Sequence, residues 1–419
     1  MEHPIRPRRF AAFALSLSLV ATLPGVAAAD SPTFRGPNRD GIFPAEGLSA
    51  AWPDAGPKQL WAAKGLGEGY SSLAIHDGRL FTTGMKDNKG TVFAFDLKGK
   101  QLWKTPYGAV HEGAGFPGSR TTPSTDGKSV FIHSSTGQAI ALAADSGKIL
   151  WQVDLLKTYG GKNIHFGISE SPLIDGDRVI FTAGGKDASL VALNKSDGKL
   201  AWQTKGLSEP SAYCAPVIFE HGKHRQIVTL VGEKLVGIDA ASGNLLWQTA
   251  FPATYGIHST SPVFHNDIIY VSHGYDQGGK AFRLAADGKS VKEIWSEPKL
   301  DIHHGGAVVV DGIVYGAASK KHWFALDIET GKVLATIKRL GKGAVVYADG
   351  RLYGYVESGK VLLVDPDPAN FKVVGQMEMK AGEGHHWSHP VVVDGVLYVR
   401  HGDVLHAYDV KAGKVAAGP

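Results

Sequence analysis

Cysteine is almost absent from this sequence, with Cys214 alone among 419 residues. That excludes a disulfide framework, a thiolate zinc site and a C-x-x-C-H haem attachment. A one-sided charge is missing too: 44 basic side chains face 40 acidic ones, so no polybasic footprint for nucleic acid stands out. No apolar run reaches the ~20 residues that a membrane-spanning helix needs. H-E-x-x-H, Walker A and G-x-S-x-G patterns are also absent, which removes the commonest hydrolase and nucleotide-binding signatures. Glycine, by contrast, is abundant at 53 residues, about one in eight, and points to a chain rich in turns.

The first 29 residues read as a cleavable export signal. Arg6, Arg8 and Arg9 precede an apolar run from Phe10 to about Leu23, and Ala27-Ala28-Ala29 stand just before Asp30. This is the basic, apolar, small-residue order of a secretory leader, with cleavage expected after Ala29. Losing three Arg and one Glu would take the net charge from +4 to +2. No Cys lies beside the cleavage site, so neither a lipid anchor nor a transmembrane segment is expected, and the mature protein is expected in the periplasm or secreted.

A single unit recurs along the rest of the chain. An alternating apolar strand is followed by a tight turn, a second strand, a Gly-rich loop, a third strand and a turn that leads to Trp. The first turn appears as Asp77-Gly78, Asp126-Gly127, Asp175-Gly176, His221-Gly222, Asn266-Asp267, Asp311-Gly312, Asp349-Gly350 and Asp394-Gly395, about 45 residues apart. Asp-Gly suits such hairpins because both central positions tolerate positive φ. Its companion half reads ALNKSDGKLAW from Ala192 to Trp202 and GIDAASGNLLW from Gly237 to Trp247. Four short strands per ~45 residues predict an all-β fold, an eight-bladed β-propeller of four-stranded blades. Trp103, Trp151, Trp202, Trp247 and Trp295 are expected to cover the seams between blades. The last repeat lacks its fourth strand, while Lys58-Gln59-Leu60-Trp61 has no repeat before it. Pairing the two closes the ring and removes its free edges. The expected organisation is a signal peptide over 1–29, a Gly/Pro-rich extension over 30–57 clasping the outside, the propeller over 58–412 and a tail over 413–419.

The A-x-D-x-x-x-G-x-x-x-W plan resembles the pyrroloquinoline-quinone-type (PQQ-like) propeller family. That family includes quinoprotein alcohol dehydrogenases and the propeller subunit of the outer-membrane β-barrel assembly machinery. RGPNRDG at 35–41, GLGEGYSS at 65–72, SESP at 169–172 and HHGG at 303–306 are similar to those of a large bacterial group of exported quinone-like propellers. The resemblance implies the propeller fold over residues 33–412 and, as cofactor, pyrroloquinoline quinone or a divalent metal. The dehydrogenases typically carry adjacent bridged cysteines, which the lone Cys214 cannot supply, and their Glu/Asn/Asp calcium set has no assignable counterpart here.

Candidate functional residues follow from the loops that lead into the innermost strands, which converge on the axis of a propeller. Five repeats start that strand with Pro (Pro123, Pro172, Pro216, Pro262 and Pro390), and Leu73, Ala307 and Val345 fill the slot in the others. Three residues earlier the row reads Tyr70, Arg120, Ser169, Tyr213, Ser259, His304, Lys342 and Trp387. Variation at a converging position is what a site needs and a repeat does not; a hydrated polar channel is the other reading. Arg120 and Lys342 offer positive charge for a carboxylate. Tyr70, Tyr213 and Trp387 offer flat faces for a sugar ring or a quinone, and His304 completes the candidate binding set. Glu170, the one acid in these rows, is the candidate for proton transfer or for orienting a cation. His258, His303 and His386, four before the slot, are candidate metal ligands.

Two functions follow. One is a periplasmic binding module for a small anionic or carbohydrate-like ligand or for a periplasmic partner protein. The alternative is a quinoprotein-type oxidoreductase, dehydrogenating an alcohol or a sugar with a quinone or metal in the same funnel. A saccharide-cleaving enzyme would want two carboxylates where these rows offer one.

Overall fold

The computed structural model describes residues 30–111 and 115–413; the expected signal peptide and cleavage point lie outside them, as does nearly all of the expected tail. Eight antiparallel sheets follow one another in chain order, each running from an innermost to an outermost strand, so the molecule is an eight-bladed β-propeller. Blade 1 spans Ala74–Ala109, blade 2 Ser124–Asp154, blade 3 Leu173–Gln203 and blade 4 Val217–Ala250. Blade 5 spans Val263–Glu297, blade 6 Val308–Ile337 and blade 7 Gly343–Glu378. Blade 8 takes its three inner strands from Val391–Asp409 and its outermost from Lys58–Lys64. The latter pairs antiparallel with the third strand, Lys58 opposite Asp409 and Lys64 opposite Val404. The ring thus closes by the expected union of its two ends, and the edges of blade 8 are covered.

The repeat's residues explain its geometry. At the first turn Asp77 (φ 48°) and Gly78 (φ 72°) are both left-handed, as a two-residue hairpin with the sheet's twist demands. Apolar side chains on both faces of each sheet meet those of the next blade. One such layer unites Leu173, Ile180 and Leu190 of blade 3 with Ile227, Val236 and Ile238 of blade 4.

Trp and Gly of the recurring motif act as a pair across five of the eight seams. Trp151 of blade 2 donates its indole N–H to Lys195 O of blade 3 (2.8 Å) and lies flat on Gly198, where a Cβ would stand 2.8 Å from the ring. Trp61, Trp103, Trp202 and Trp295 repeat both contacts with Gly99, Gly147, Gly243 and Gly331. Trp247 departs from the expected pattern. Its indole donates to Gln226 Oε1 of its own blade (2.8 Å), and the Gln226 amide reaches Gly288 O of blade 5 (2.9 Å), so an amide bridges the seam there.

The extension corrects an expectation over its first part, while its later part lies on the outside as expected, Trp52 N–H meeting Val374 O on the outermost strand of blade 7 (3.2 Å). Residues 31–43 do not clasp the outside; they thread the axis. Ser31 bridges to Ile75 of blade 1, the Pro32 carbonyl accepts the Thr125 N–H of blade 2, and Ile42–Phe43 pairs parallel with Tyr347–Ala348, adding a fifth, inner strand to blade 7. Arg35 and Arg39 are each only 2% exposed. Arg35 donates to the carbonyls of Gly305 (3.2 Å), Val345 (3.4 Å) and Ala307. Arg39 donates to Ser171 O (2.7 Å), Pro172 O (2.8 Å) and Thr33 Oγ1 (2.6 Å). Gly and Pro here serve a tight reversal inside the ring rather than a surface loop. At Gly41 (φ 84°) a Cβ would come within 2.4 Å of the Arg35 guanidinium. Beyond this plug the chain leaves by the Asp-Gly face, where Leu48 N–H meets Asp349 Oδ2 (2.7 Å).

Candidate functional site

The plug fills the axis up to its apex at Phe34 and leaves a cavity of about 570 Å³ on the side of the converging loops, with Phe34 in its lining. Phe34 packs edge-on against His389 of the loop into blade 8, ring centres 4.8 Å apart. All eight residues of the varied row line this cavity. A volume of this size lies within the ~300–1,000 Å³ range usual for small-molecule sites.

Much of the wall is aromatic. Tyr275, His303, His304, Trp387, Phe116, Phe166 and Tyr213 form an unbroken succession of ring contacts with centres 4.8–6.1 Å apart. Tyr70 joins it at Trp387 (4.9 Å), and His385 stacks flat on the same indole (4.2 Å).

Two charged groups interrupt that wall. Arg120 lies over the Tyr70 ring, 5.7 Å from its centre. Its amines donate to Phe166 O (3.1 Å) and Phe116 O (2.5 Å), holding those two aromatic loops together. Burial lowers its pKa, and among the described residues no carboxylate pairs with it. Opposite in sign is Glu357, whose Oε1 receives Trp387 Nε1 (2.9 Å), His304 Nε2 (3.0 Å) and Lys342 Nζ (3.1 Å). Burial alone would raise this carboxyl; His304, Lys342 and the indole N–H bring it down to about 2. Lys342 also approaches His303 Nδ1 at 3.3 Å. Burial, then His304 and Lys342, hold His303 down to about 4.

The sequence rows omitted Glu357 and Tyr275 because both belong to the turns between second and third strands, which open on the same face. Most of those turns are short; blades 2, 5 and 6 carry longer ones, in blade 5 Gly274-Tyr275-Asp276-Gln277, a lengthening visible in the sequence. Phe116 and Phe166 lie in the expected loops, a few residues ahead of the row.

Other expectations need correction. Glu170, the candidate for proton transfer, is 2% exposed and lies behind the wall. In an extended strand neighbouring side chains alternate, so the residue after Ser169 faces away from the axis. Glu170 accepts the Tyr213 N–H (3.1 Å), the Ser169 N–H (3.0 Å) and the Ser211 hydroxyl, while burial pushes its pKa up. It thereby holds Tyr213, at φ 70°, turned into the cavity. The proposed metal ligands His258, His303 and His386 do not converge either. His258 is fully buried against Phe251 and His273, whereas His303 and His386 line the cavity, with His386 stacked on His401 (3.9 Å). Among the described residues no three His, Cys, Asp or Glu side chains are grouped to hold a metal ion. Cys214 is buried, its thiol pushed up to about 11.

The residues present also fail to match the quinone that the family resemblance implies. Pyrroloquinoline quinone is planar and bears several carboxylates. Here only Arg120 is free of a carboxylate among the described residues, Lys342 is committed to Glu357, and the ionised Glu357 would face the cofactor's own anionic groups.

No helix among the described residues is long and apolar enough to cross a membrane. Comparison with known proteins places the chain. Residues 88–337 match the family profile described as outer membrane protein assembly factor BamB. The Yersinia pestis protein of that name is 25% identical over 64% of this chain and 68% of its own length. In fold, the chain is similar to the crystal structure of BamB from Moraxella catarrhalis, at TM-score 0.62 and 14% identity, covering 87% of this chain and all of that one. It is similar too to the quinohemoprotein alcohol dehydrogenase from Comamonas testosteroni, at TM-score 0.65 and 12% identity, covering 93% of this chain and 82% of that one. With its profile matched over more than half of the sequence, the chain belongs to the BamB-type family of PQQ-like propellers.

Proposed function

We propose that this protein is an exported, periplasmic binding module that holds a small ligand in the funnel at its converging loops. The observation that carries the reading is the joining of all eight varied row positions in one cavity closed below by the chain's own plug. Repeat proteins keep equivalent positions alike where they only pack, as the seam Trp and Gly do at five of the eight seams. The row's departure from that rule is most simply explained by a ligand that each blade meets differently. Export is supported by the leader-like first 29 residues and by relatives named as outer membrane protein assembly factors.

The binding set is Tyr70, Arg120, Tyr213, His304, Lys342 and Trp387, to which we add Glu357. A quinoprotein-type oxidoreductase is the second reading, favoured by the dehydrogenase-like fold and opposed by the charge pattern of the funnel. The test is native mass spectrometry and absorbance of protein recovered from the periplasm, followed by titration with pyrroloquinoline quinone. The binding reading expects a co-purifying small molecule that Arg120→Ala releases while the protein remains folded. Micromolar quinone affinity with dye-linked dehydrogenase activity would replace it by the second reading. A periplasmic protein retained in place of a small molecule would make the funnel a partner site.

A further inference from the structure

We infer that the ligand is an acidic saccharide, a sugar ring carrying a carboxylate as uronic acids do, lying on Tyr70 and Trp387 with its carboxylate at Arg120 and its hydroxyls at Glu357. The inference rests on the proposal that the funnel is a binding site and names what it takes.

Its first support is the order of groups along one wall. Arg120 lies over Tyr70 at 5.7 Å, Tyr70 lies beside Trp387 at 4.9 Å, and Trp387 Nε1 touches Glu357 at 2.9 Å. A cation and an anion are thus separated by two neighbouring aromatic rings, a spacing that suits a ligand with a carboxylate at one end and neutral donors at the other. Pyranose rings present C–H faces to such rings, and the phenol and indole add polar tips.

Glu357 supplies the second. Its Oε1 takes all three donors, from His304, Trp387 and Lys342. No described residue is bonded to Oε2, and the side chain is 31% exposed. A carboxylate fixed by one oxygen and open at the other is an acceptor for hydroxyls. It would repel a ligand with carboxylates at both ends. Lys342 meanwhile removes the net charge that would draw a cation to this end.

Arg120 supplies the third. Two of its amines are satisfied only by neutral carbonyls. Its charge is therefore uncompensated by any described residue on a wall where burial disfavours it. A bound carboxylate would supply the charge-assisted partner. Taken with the Glu357–Lys342 pair, the fixed charges of the funnel's described residues leave one positive, matching a monoanion rather than a neutral sugar or a polyanion.

The test is calorimetric titration of the purified protein with galacturonate, which carries one carboxylate, and with its methyl ester, which differs in charge but barely in shape. The expected result is binding of the acid about 10–100-fold tighter than the ester, the worth of one charge-assisted hydrogen-bonded pair. Arg120→Ala should make the two equal, and Glu357→Gln should weaken both. Equal affinity of the two ligands in the wild type, or no heat with either, overturns the saccharide. The same preparations are titrated with pyrroloquinoline quinone, followed by tryptophan fluorescence. A quinone response that Arg120→Ala abolishes, with galacturonate silent, overturns the saccharide while leaving the funnel a binding site. Silence with every probe, and no small molecule co-purifying with the folded protein, overturns both.

Discussion

Replacing Arg35 by Ala tests the axial plug most directly. Its guanidinium reaches carbonyls of the loop into blade 6 (Gly305, Ala307) and of the innermost strand of blade 7 (Val345), and its Nη1 meets His389 Nδ1 at 3.3 Å. No carboxylate is bonded to it; Asp40 accepts from Nη2 through its main-chain carbonyl (3.3 Å), and its carboxylate acts through space. The lowering of its pKa from 12.5 to about 10 by burial sets the cost of desolvating the charge at about 3 kcal/mol. Three hydrogen bonds from a charged donor, at about 2 kcal/mol each, exceed that cost by roughly 3 kcal/mol. Arg35→Ala should therefore destabilise the protein by about 3 kcal/mol, rising toward 4 if the vacated space does not collapse. Arg35→Lys keeps the charge but cannot fork across two blades, and should lose about half as much. Urea unfolding followed by intrinsic fluorescence gives the difference. Trypsin gives its location: the Arg39–Asp40 bond, sealed in the native ring, should become cleavable in Arg35→Ala before the blades unfold. An unchanged unfolding midpoint together with a protected Arg39–Asp40 bond would refute the argument. The pairing of Ile42–Phe43 with blade 7 would then suffice to hold the plug.

Acid should loosen the fold through its imidazoles. Burial above all holds His133 and His258 near 3 and His273, His303 and His386 near 4, so in this range the unfolded chain binds more protons than the native one. The stabilisation is complete above pH ~6.5 and is lost as pH falls toward these values; melting temperatures at pH 7.5, 5.5 and 4.5 should fall steeply, and a flat series would contradict the burial argument. Gly198→Ala should cost about 2–4 kcal/mol, combining strain at φ 70° with a Cβ 2.8 Å from the Trp151 ring. Gly176→Ala, at φ 56° with nothing within 4 Å, should show only the conformational part, about 1–2 kcal/mol; equal losses in denaturant would refute the seam pairing. Glu170→Ala strands three donors and should cost about 3 kcal/mol, and by releasing Tyr213 it should weaken ligand binding. Unchanged affinity would mean that Tyr213 keeps its place unaided.

The blades were legible because the repeat restates its rule around the ring: Asp-Gly at six of eight first turns, apolar alternation, and at five seams a Gly that faces the Trp of the preceding blade. Ring closure followed from counting strands, and the cavity's position from asking which aligned positions converge. Three features were not legible, each for a physical reason. The segment holding Arg35 and Arg39 read as an outer clasp because sequence does not show that backbone carbonyls can satisfy a buried guanidinium. Glu170 read as a reactive acid because the alternation of side chains turns it from the cavity one residue after Ser169. Glu357 was missed because it reaches the site from a turn between second and third strands, in a different register from the row.

These misreadings have a common origin in how a ring of eight sheets handles its centre. Side chains of eight innermost strands cannot close so wide an axis, and an open polar channel would leave them hydrated from both faces. Here the chain fills the far half with its own backbone, and the buried arginines supply the donors that the carbonyls of the loops and innermost strands need. What remains is open at one end only. Behind such a closed floor, His304, Lys342 and Trp387 can hold Glu357 ionised while half-buried, because water reaches the cluster from one side and the hydrogen bonds strengthen accordingly. The plug and the site are therefore coupled through solvent as well as through the contacts of Phe34 and Arg35 with His389. Opening the far end would hydrate the cluster and weaken its hold on a ligand even where no wall residue had moved.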